Sequence, residues 1–173
     1  MSYENNIAVL GAGSWGTAII KMLCENVNEV LWYVRNSDHA NEIIKLKRNP
    51  KYLKNLDIDV NKLVISSDIE MIIQQSNIII LAIPSPYINE SLEKYKSILN
   101  QKIIFSGSKG VIPQSHLVIT DHLNKYYNIP FKNLGIISGP THAEEIANEK
   151  LSYLTIGSSN KDICDFLSEK LKS

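Results

Sequence analysis

The sequence predicts a doubly wound α/β domain, a mostly parallel sheet with helices on both faces. Short runs rich in isoleucine and valine alternate with longer segments of helical period, the pattern of strands crossed over by helices. One run, Ile78 to Ile83, is apolar throughout, as a central strand buried on both faces must be. No repeat, low-complexity tract or linker interrupts the 173 residues. They form one domain, large enough to bury about 70% of the surface its unfolded chain exposes.

The first run, Ile7 to Leu10, leads through GAGSWG into TAIIKMLCEN, where Ile19, Ile20, Leu23 and Cys24 share a helical face. Val30 to Val34 is the second strand. Ser37 is placed to cap a helix with Ile43, Ile44 and Leu46 as its apolar face, ended by Pro50. After a polar, irregular stretch over 50–62, Leu63 to Ile65 is a short strand, and Ser67-x-x-Glu70 is a capping box before Ile69, Ile72 and Ile73. Beyond Pro84, Ser85-Pro86 starts a helix marked by Ile88, Leu92, Tyr95 and Ile98. Ile103 to Phe105 is the next strand, followed by a helix after Pro113 and a strand over Leu134 to Ile137. Thr141-x-x-Glu144 is a second capping box, Leu151 to Ile156 a last strand, and Lys161 to Leu171 a last helix. The count is six or seven strands.

Composition excludes several function classes. Eighteen Lys and Arg balance eighteen Asp and Glu, so the charge excess that nucleic-acid and polybasic membrane binders rely on is missing. The longest apolar run is far short of the roughly 20 residues that cross a bilayer, and the polar MSYENN start has no signal-peptide character. Cys24 and Cys164 have no metal or disulfide spacing and suit a reducing cytoplasm. Both read as small core residues on helical faces. Asp57-Ile58-Asp59-Val60-Asn61 starts like a calcium loop but has Lys62 at the sixth position and Asp68 at the twelfth, where glycine and glutamate are needed. His39, His116, His122 and His142 have no ligand spacing and read as surface or capping residues, with His142 kept in view because it adjoins a strand-end motif. No metal is expected. Glu144 and Glu145, about 100° apart on a helix, cannot act as one acid/base pair.

The chemistry points to the first turn. In Gly11-Ala12-Gly13-Ser14-Trp15-Gly16, between a strand and a helix, Gly11 permits the tight turn. Gly13 lets backbone approach a pyrophosphate, and Gly16 lets the helix pack close. The helix N-terminus then offers free N–H groups and a partial positive charge. This is the Rossmann-type dinucleotide fingerprint, with a purely structural glycine turn as the alternative, and the expected ligand is NADPH or NADH. The second strand ends without the acid that binds a ribose 2′-hydroxyl. Arg35 stands there, suited to a 2′-phosphate and to stacking on adenine, which predicts that NADPH binds at least as well as NADH. A solvated strand end is the alternative for Arg35, and a solvated helix end is the simpler reading of Lys45, Lys47, Arg48, Lys51 and Lys54.

Three further strand ends converge where such sheets bind ligands: Ala82 to Pro86, Ser106 to Gly110, and Ser138 to Ala143. Lys109 is the one charged residue of its segment. Its ammonium can attract an anion and polarise a carbonyl, or it can simply reach solvent; the residues alone do not separate the two. The N–H groups at Gly139 to Ala143 and the Thr141 hydroxyl offer a second anion site or an ordinary helix cap.

GAGSWGTA, SKG and SGPTHAEE, in this order and spacing, resemble the NAD(P)-dependent glycerol-3-phosphate dehydrogenases of bacteria, and the similarity spans essentially the whole chain. The resemblance implies reduction of dihydroxyacetone phosphate to sn-glycerol 3-phosphate in the cytoplasm, for phospholipid backbones. It implies Ser14, Trp15, Arg35 and Ala143 at the cofactor, Lys109 as the catalytic residue between nicotinamide and substrate, and Gly139 and Thr141 at the substrate. The family's members are about twice this length and add an all-helical domain carrying the proton-donating lysine and the phosphate-gripping arginine and asparagine. Residues 1–173 are therefore expected to be the NAD(P)-binding half, nearly inactive alone, with room for a homodimer of the full-length enzyme. Two alternatives stand beside this: a related dehydrogenase of another hydroxy or keto acid, and a non-catalytic NAD(P)H sensor.

Overall fold

The computed structural model describes residues 6–172. In chain order the elements are β1 (Ile7–Leu10), α1 (Ser14–Asn26), β2 (Val30–Tyr33), α2 (Ser37–Leu46), β3 (Leu63–Ser66), α3 (Ile69–Gln75), β4 (Ile78–Leu81), α4 (Ile88–Leu92) and α5 (Lys96–Leu99). They continue with β5 (Ile103–Ser106), α6 (Ile119–Tyr127), β6 (Leu134–Ser138), α7 (Ala143–Ala147), β7 (Thr155–Ser158) and α8 (Lys161–Lys170). The seven strands are ordered β3-β2-β1-β4-β5-β6-β7. The first six run parallel and β7 pairs antiparallel to β6. The doubly wound expectation holds, and the order reverses direction between β1 and β4.

Alternate strand residues feed opposite cores, as the period of two requires. Ile7, Val9, Trp32, Ile78, Ile80 and Phe105 pack with α1, α2, α7 and α8. Ala8, Leu10, Leu31, Ile79, Leu81 and Ile104 pack with α3, α4, α5 and α6. The predicted face of α1 is buried in full, with Ile19, Ile20 and Leu23 wholly covered and Cys24 nearly so. Burial pushes the Cys24 thiol up to about 11, against the pull of Lys62. Cys164 is only half-buried.

Several boundaries differ from the sequence expectation for identifiable reasons. Asn36, not Ser37, caps α2 by accepting from His39 N at 2.8 Å, and Ile44 and Leu46 are exposed while His39, Ala40 and Ile43 face inward. Asp68 caps α3, its Oδ1 accepting from Glu70 N and Met71 N, so the serine box at Ser67 does not form. An aspartate in this position satisfies two orphan donors and places negative charge at the helix's positive end. The helix over 88–98 is broken into α4, a 3-10 turn and α5, which buries Leu99 where Ile98 was expected.

The chain after Pro113 makes a tight loop before α6 begins, closed by Ile112 N donating to Leu117 O at 2.9 Å and by the Val111–Val118 bridge. The last strand starts at Thr155, because the backbone N and O of Tyr153 are both taken by the Thr141 hydroxyl and cannot join the sheet. Two of the four histidines are core residues, His39 and His122, each more than nine-tenths buried. His116 and His142 are exposed, as expected.

Candidate functional site

Trans peptides and the β1–β2 pairing set the first turn. Gly11 N donates to Tyr33 O at 3.2 Å, and Trp32 Nε1 donates to Gly11 O at 3.0 Å. The backbone at Gly11 has φ +124°, and a Cβ there would lie 2.5 Å from Ala82 O, so only glycine fits. A Cβ on Gly16 would lie 2.2 Å from Gly11 O, which is what lets α1 start tight against the turn. Gly13 differs from both: a Cβ there meets no atom within 4 Å. Nothing in the fold demands glycine at 13, and a side chain would only fill open space at the start of α1. That start carries roughly half a positive charge from the aligned peptides.

Beside this turn, across the switch point between β1 and β4, lies a cleft of about 910 Å³. Ser14 and Trp15 form one wall, Ala82 with Pro84 to Pro86 the next, and Ser106 to Gly110 and Ser138, Gly139 and Thr141 to Ala143 the others. All stand at the carboxyl ends of strands, where open α/β sheets hold ligands. The walls are tied together. Ser108 Oγ donates to Ile83 O at 2.6 Å, and Gly107 N to Leu81 O at 2.9 Å. Trp15 lies so close on Gly107 that a Cβ there would be 2.7 Å from its Nε1. That indole N–H is buried against Gly107 with no hydrogen-bond partner. Lys109 is exposed and is the one Lys, Arg, Asp or Glu among the lining residues. The cleft therefore presents one lysine, one histidine (His142) and no carboxylate.

The cleft brings together Ser14, Trp15, Lys109, Gly139, Thr141 and Ala143, whereas Gly11, Gly13 and Gly16, neighbours of Ser14 and Trp15 in the turn, are not among its lining residues. Arg35 is not among the lining residues. It stands exposed two residues past β2, next to Tyr33, whose hydroxyl burial pushes above its ordinary range while Arg35 pulls it down. Thr141 is buried and its hydroxyl both donates to Tyr153 O (2.9 Å) and accepts from Tyr153 N (3.0 Å). The expected Thr141/Glu144 box is absent. His142 is the N-cap of α7, with Glu145 Oε2 accepting from His142 N at 2.8 Å. This glutamate meets the helix start from inside the chain, which favours the capping reading over a second anion site. Arg48 of the basic run is paired with Asp57 at 3.0 Å. Among the described residues no group of three or more His, Cys, Asp or Glu is placed to hold a metal, and no helix is long and apolar enough to cross a membrane.

The family profile described as NAD-dependent glycerol-3-phosphate dehydrogenase N-terminus matches residues 6–164. The chain belongs to that family. The glycerol-3-phosphate dehydrogenase [NAD(P)+] of Exiguobacterium sp. is 32% identical over 169 residues, covering 96% of this chain and 49% of the relative. Among solved structures, the glycerol-3-phosphate dehydrogenase of Coxiella burnetii superposes with a TM-score of 0.85 at 27% identity, over 99% of this chain and 52% of the other. That of Plasmodium falciparum gives 0.86 at 25% identity, over 98% and 50%. The chain spans about half the length of the curated relatives it matches. In this glycerol-3-phosphate dehydrogenase N-terminal fold, sequence reasoning missed Asn49, a wholly buried amide beneath the first turn. Its only signal was an uncharged amide between Lys47-Arg48 and Pro50, in a stretch that is polar throughout.

Proposed function

We propose that the cleft holds NADPH or NADH as the cofactor half of an enzyme that reduces dihydroxyacetone phosphate to sn-glycerol 3-phosphate. The observation that carries this is the contrast among three glycines: Gly11 and Gly16 are forced by neighbouring backbone, whereas Gly13 faces open space. A pyrophosphate fits that space, on the N-terminus of α1. Ser14 and Trp15 flank it, and Ala143 closes the far wall. Arg35, beyond β2, is on the side a ribose 2′-phosphate would reach.

The bound nicotinamide supplies the hydride, and the remaining work falls to the protein. The Lys109 ammonium draws the phosphorylated substrate in and stabilises negative charge on its carbonyl oxygen. Gly139 and Thr141 shape the substrate end, with Thr141 fixed there by Tyr153. We place the proton donor outside these 173 residues: besides Lys109, the one His, Lys, Arg, Asp or Glu lining the cleft is His142, which sits at the N-cap of α7. A homodimer of the longer enzyme and a cytoplasmic setting complete the reading.

Fluorescence titration with NADPH and NADH tests it. Both bind the wild type, and Arg35→Ala lowers the NADPH/NADH preference about tenfold, the value of one charge-assisted contact. An unchanged ratio removes Arg35 from the site, and no binding of either nucleotide overturns the reading as a whole. With dihydroxyacetone phosphate added, residues 1–173 alone oxidise NADPH barely above background; turnover at full enzymatic rates would place the proton donor within them.

A further inference from the structure

Beneath the glycine turn, Asn49 makes an unusually complete set of hydrogen bonds for a residue in an irregular loop. It is 0% exposed. Its Nδ2 donates to Ala12 O at 3.0 Å and to Thr17 Oγ1 at 2.8 Å. Its Oδ1 meets His39 Nε2 at 2.8 Å and accepts from Lys51 N at 3.1 Å and Tyr52 N at 3.2 Å. Because Oδ1 only accepts, the His39 ring must donate from Nε2. Thr17 Oγ1 in turn donates to Gly13 O at 2.9 Å. The amide thus has two halves. The oxygen half gathers α2 and the loop over 49–52; the nitrogen half reaches across 32 and 37 residues of sequence to hold the turn.

A trans peptide is planar, with C=O and N–H pointing in opposite directions. Holding Ala12 O inward on Asn49 therefore turns the Gly13 N–H away from the interior. Gly13 O is held twice by Thr17, from its backbone N at 2.9 Å and from its Oγ1 at 2.9 Å, which does the same for Ser14 N–H, and the hydroxyl is the half that Asn49 fixes. We infer that Asn49, working through Thr17, is a positioning residue that aims the Gly13 and Ser14 amides at the dinucleotide phosphates. This rests on the proposed nucleotide site and adds to it a residue that never touches the ligand. Preorganised donors need no reorganisation when an anion arrives, so loosening the turn weakens binding even where the fold survives.

Asn49→Asp separates the halves, since aspartate still accepts from His39, Lys51 N and Tyr52 N but cannot donate to Ala12 or Thr17. A carboxylate there also repels phosphate through space, so the uncharged pair Thr17→Val and Thr17→Ser decides the matter. Valine matches threonine's shape without the hydroxyl; serine keeps the hydroxyl.

The expected result, by isothermal titration with NADPH, is about a ten- to hundredfold loss for Asn49→Asp and several-fold for Thr17→Val, with Thr17→Ser close to wild type. In nitrogen-15 NMR spectra the Gly13 amide proton moves downfield when NADPH binds the wild type, and this shift shrinks in Thr17→Val, a signature that a purely structural role would not produce. Equal affinities for the valine and serine variants, or an undiminished Gly13 shift in valine, would overturn the inference while leaving the nucleotide site intact. Failure of the wild type to bind overturns both. If Asn49→Asp does not fold, the threonine pair still gives the answer.

Discussion

At the scale of single residues, the glycine turn separates what the fold requires from what a ligand requires. A Cβ on Gly16 would press to 2.2 Å from Gly11 O, against backbone that cannot rotate away. Gly16→Ala is therefore expected to cost about 1–3 kcal/mol of stability, as overpacking does, and to be read in a denaturant melt. Gly13→Ala meets no atom within 4 Å, and alanine tolerates the extended backbone there (φ −76°, ψ −176°). Its stability loss stays under about 1 kcal/mol, from the weaker cap, while NADPH affinity falls about tenfold or more as the methyl occupies phosphate space. Equal stability losses, or full affinity in Gly13→Ala, would remove the ligand-facing role assigned to this glycine.

At the scale of elements, the loop after Lys109 is held by a polar latch between α4 and α6. His122 Nε2 donates to Asn89 Oδ1 at 2.7 Å, and Ser115 Oγ donates to His122 Nδ1 at 2.8 Å. Tyr127 Oη also donates to Asn89 Oδ1, at 3.3 Å. The neutral ring satisfies every partner. Burial pushes the His122 pKa below its ordinary 6.5, Lys96 on α5 pushes the same way, and Glu93 opposes them; the rings of Tyr126 and Tyr127 also face it.

With the folded pKa depressed, the unfolded chain takes up a proton first as pH drops. The stability this group contributes is present above about pH 6.5 and is lost as pH falls through the folded value. Urea melts between pH 7.5 and 5.5 should show stability falling in that window, with a slope bounded by one proton, and His122→Gln should flatten it. A slope unchanged in the variant would assign the effect to other groups. The spacing of apolar residues had placed helices over this region, and their buried positions at Ile88, Leu92 and Tyr95 are real. The breaks and the latch come from contacts made across 7 to 38 residues, which periodicity cannot register.

At the scale of the whole molecule, the sheet and the convergence of strand ends were legible because each strand announces itself locally, through isoleucine and valine runs stopped by glycine, serine or proline. The cleft followed from topology: once β1, β4, β5 and β6 are neighbours, GAGSWG, AIPSP, SGSKG and SGPTHA have to meet. Asn49 and the Thr141 hydroxyl were not legible, since the partners that tie Asn49 to α2 and the glycine turn lie 10 to 37 residues away and that of Thr141 lies 12 away, with no spacing rule to connect them.

Cofactor binding should register globally, because a ligand held by the strand ends of four strands binds only the folded chain. At a hundred times its Kd a ligand adds about 2.7 kcal/mol to folding stability. For a chain of this length each kcal/mol moves Tm by about 2–4 °C, giving a rise of about 5–10 °C. Gly13→Ala, with affinity about tenfold weaker, retains about half of that stabilisation at the same NADPH concentration, since the logarithm falls from about a hundred to about ten. Differential scanning fluorimetry with wild type and variant side by side measures both. A wild-type Tm indifferent to NADPH would sink the dinucleotide reading, whereas equal shifts in the two proteins would move the phosphates away from Gly13 while keeping the cofactor in the cleft.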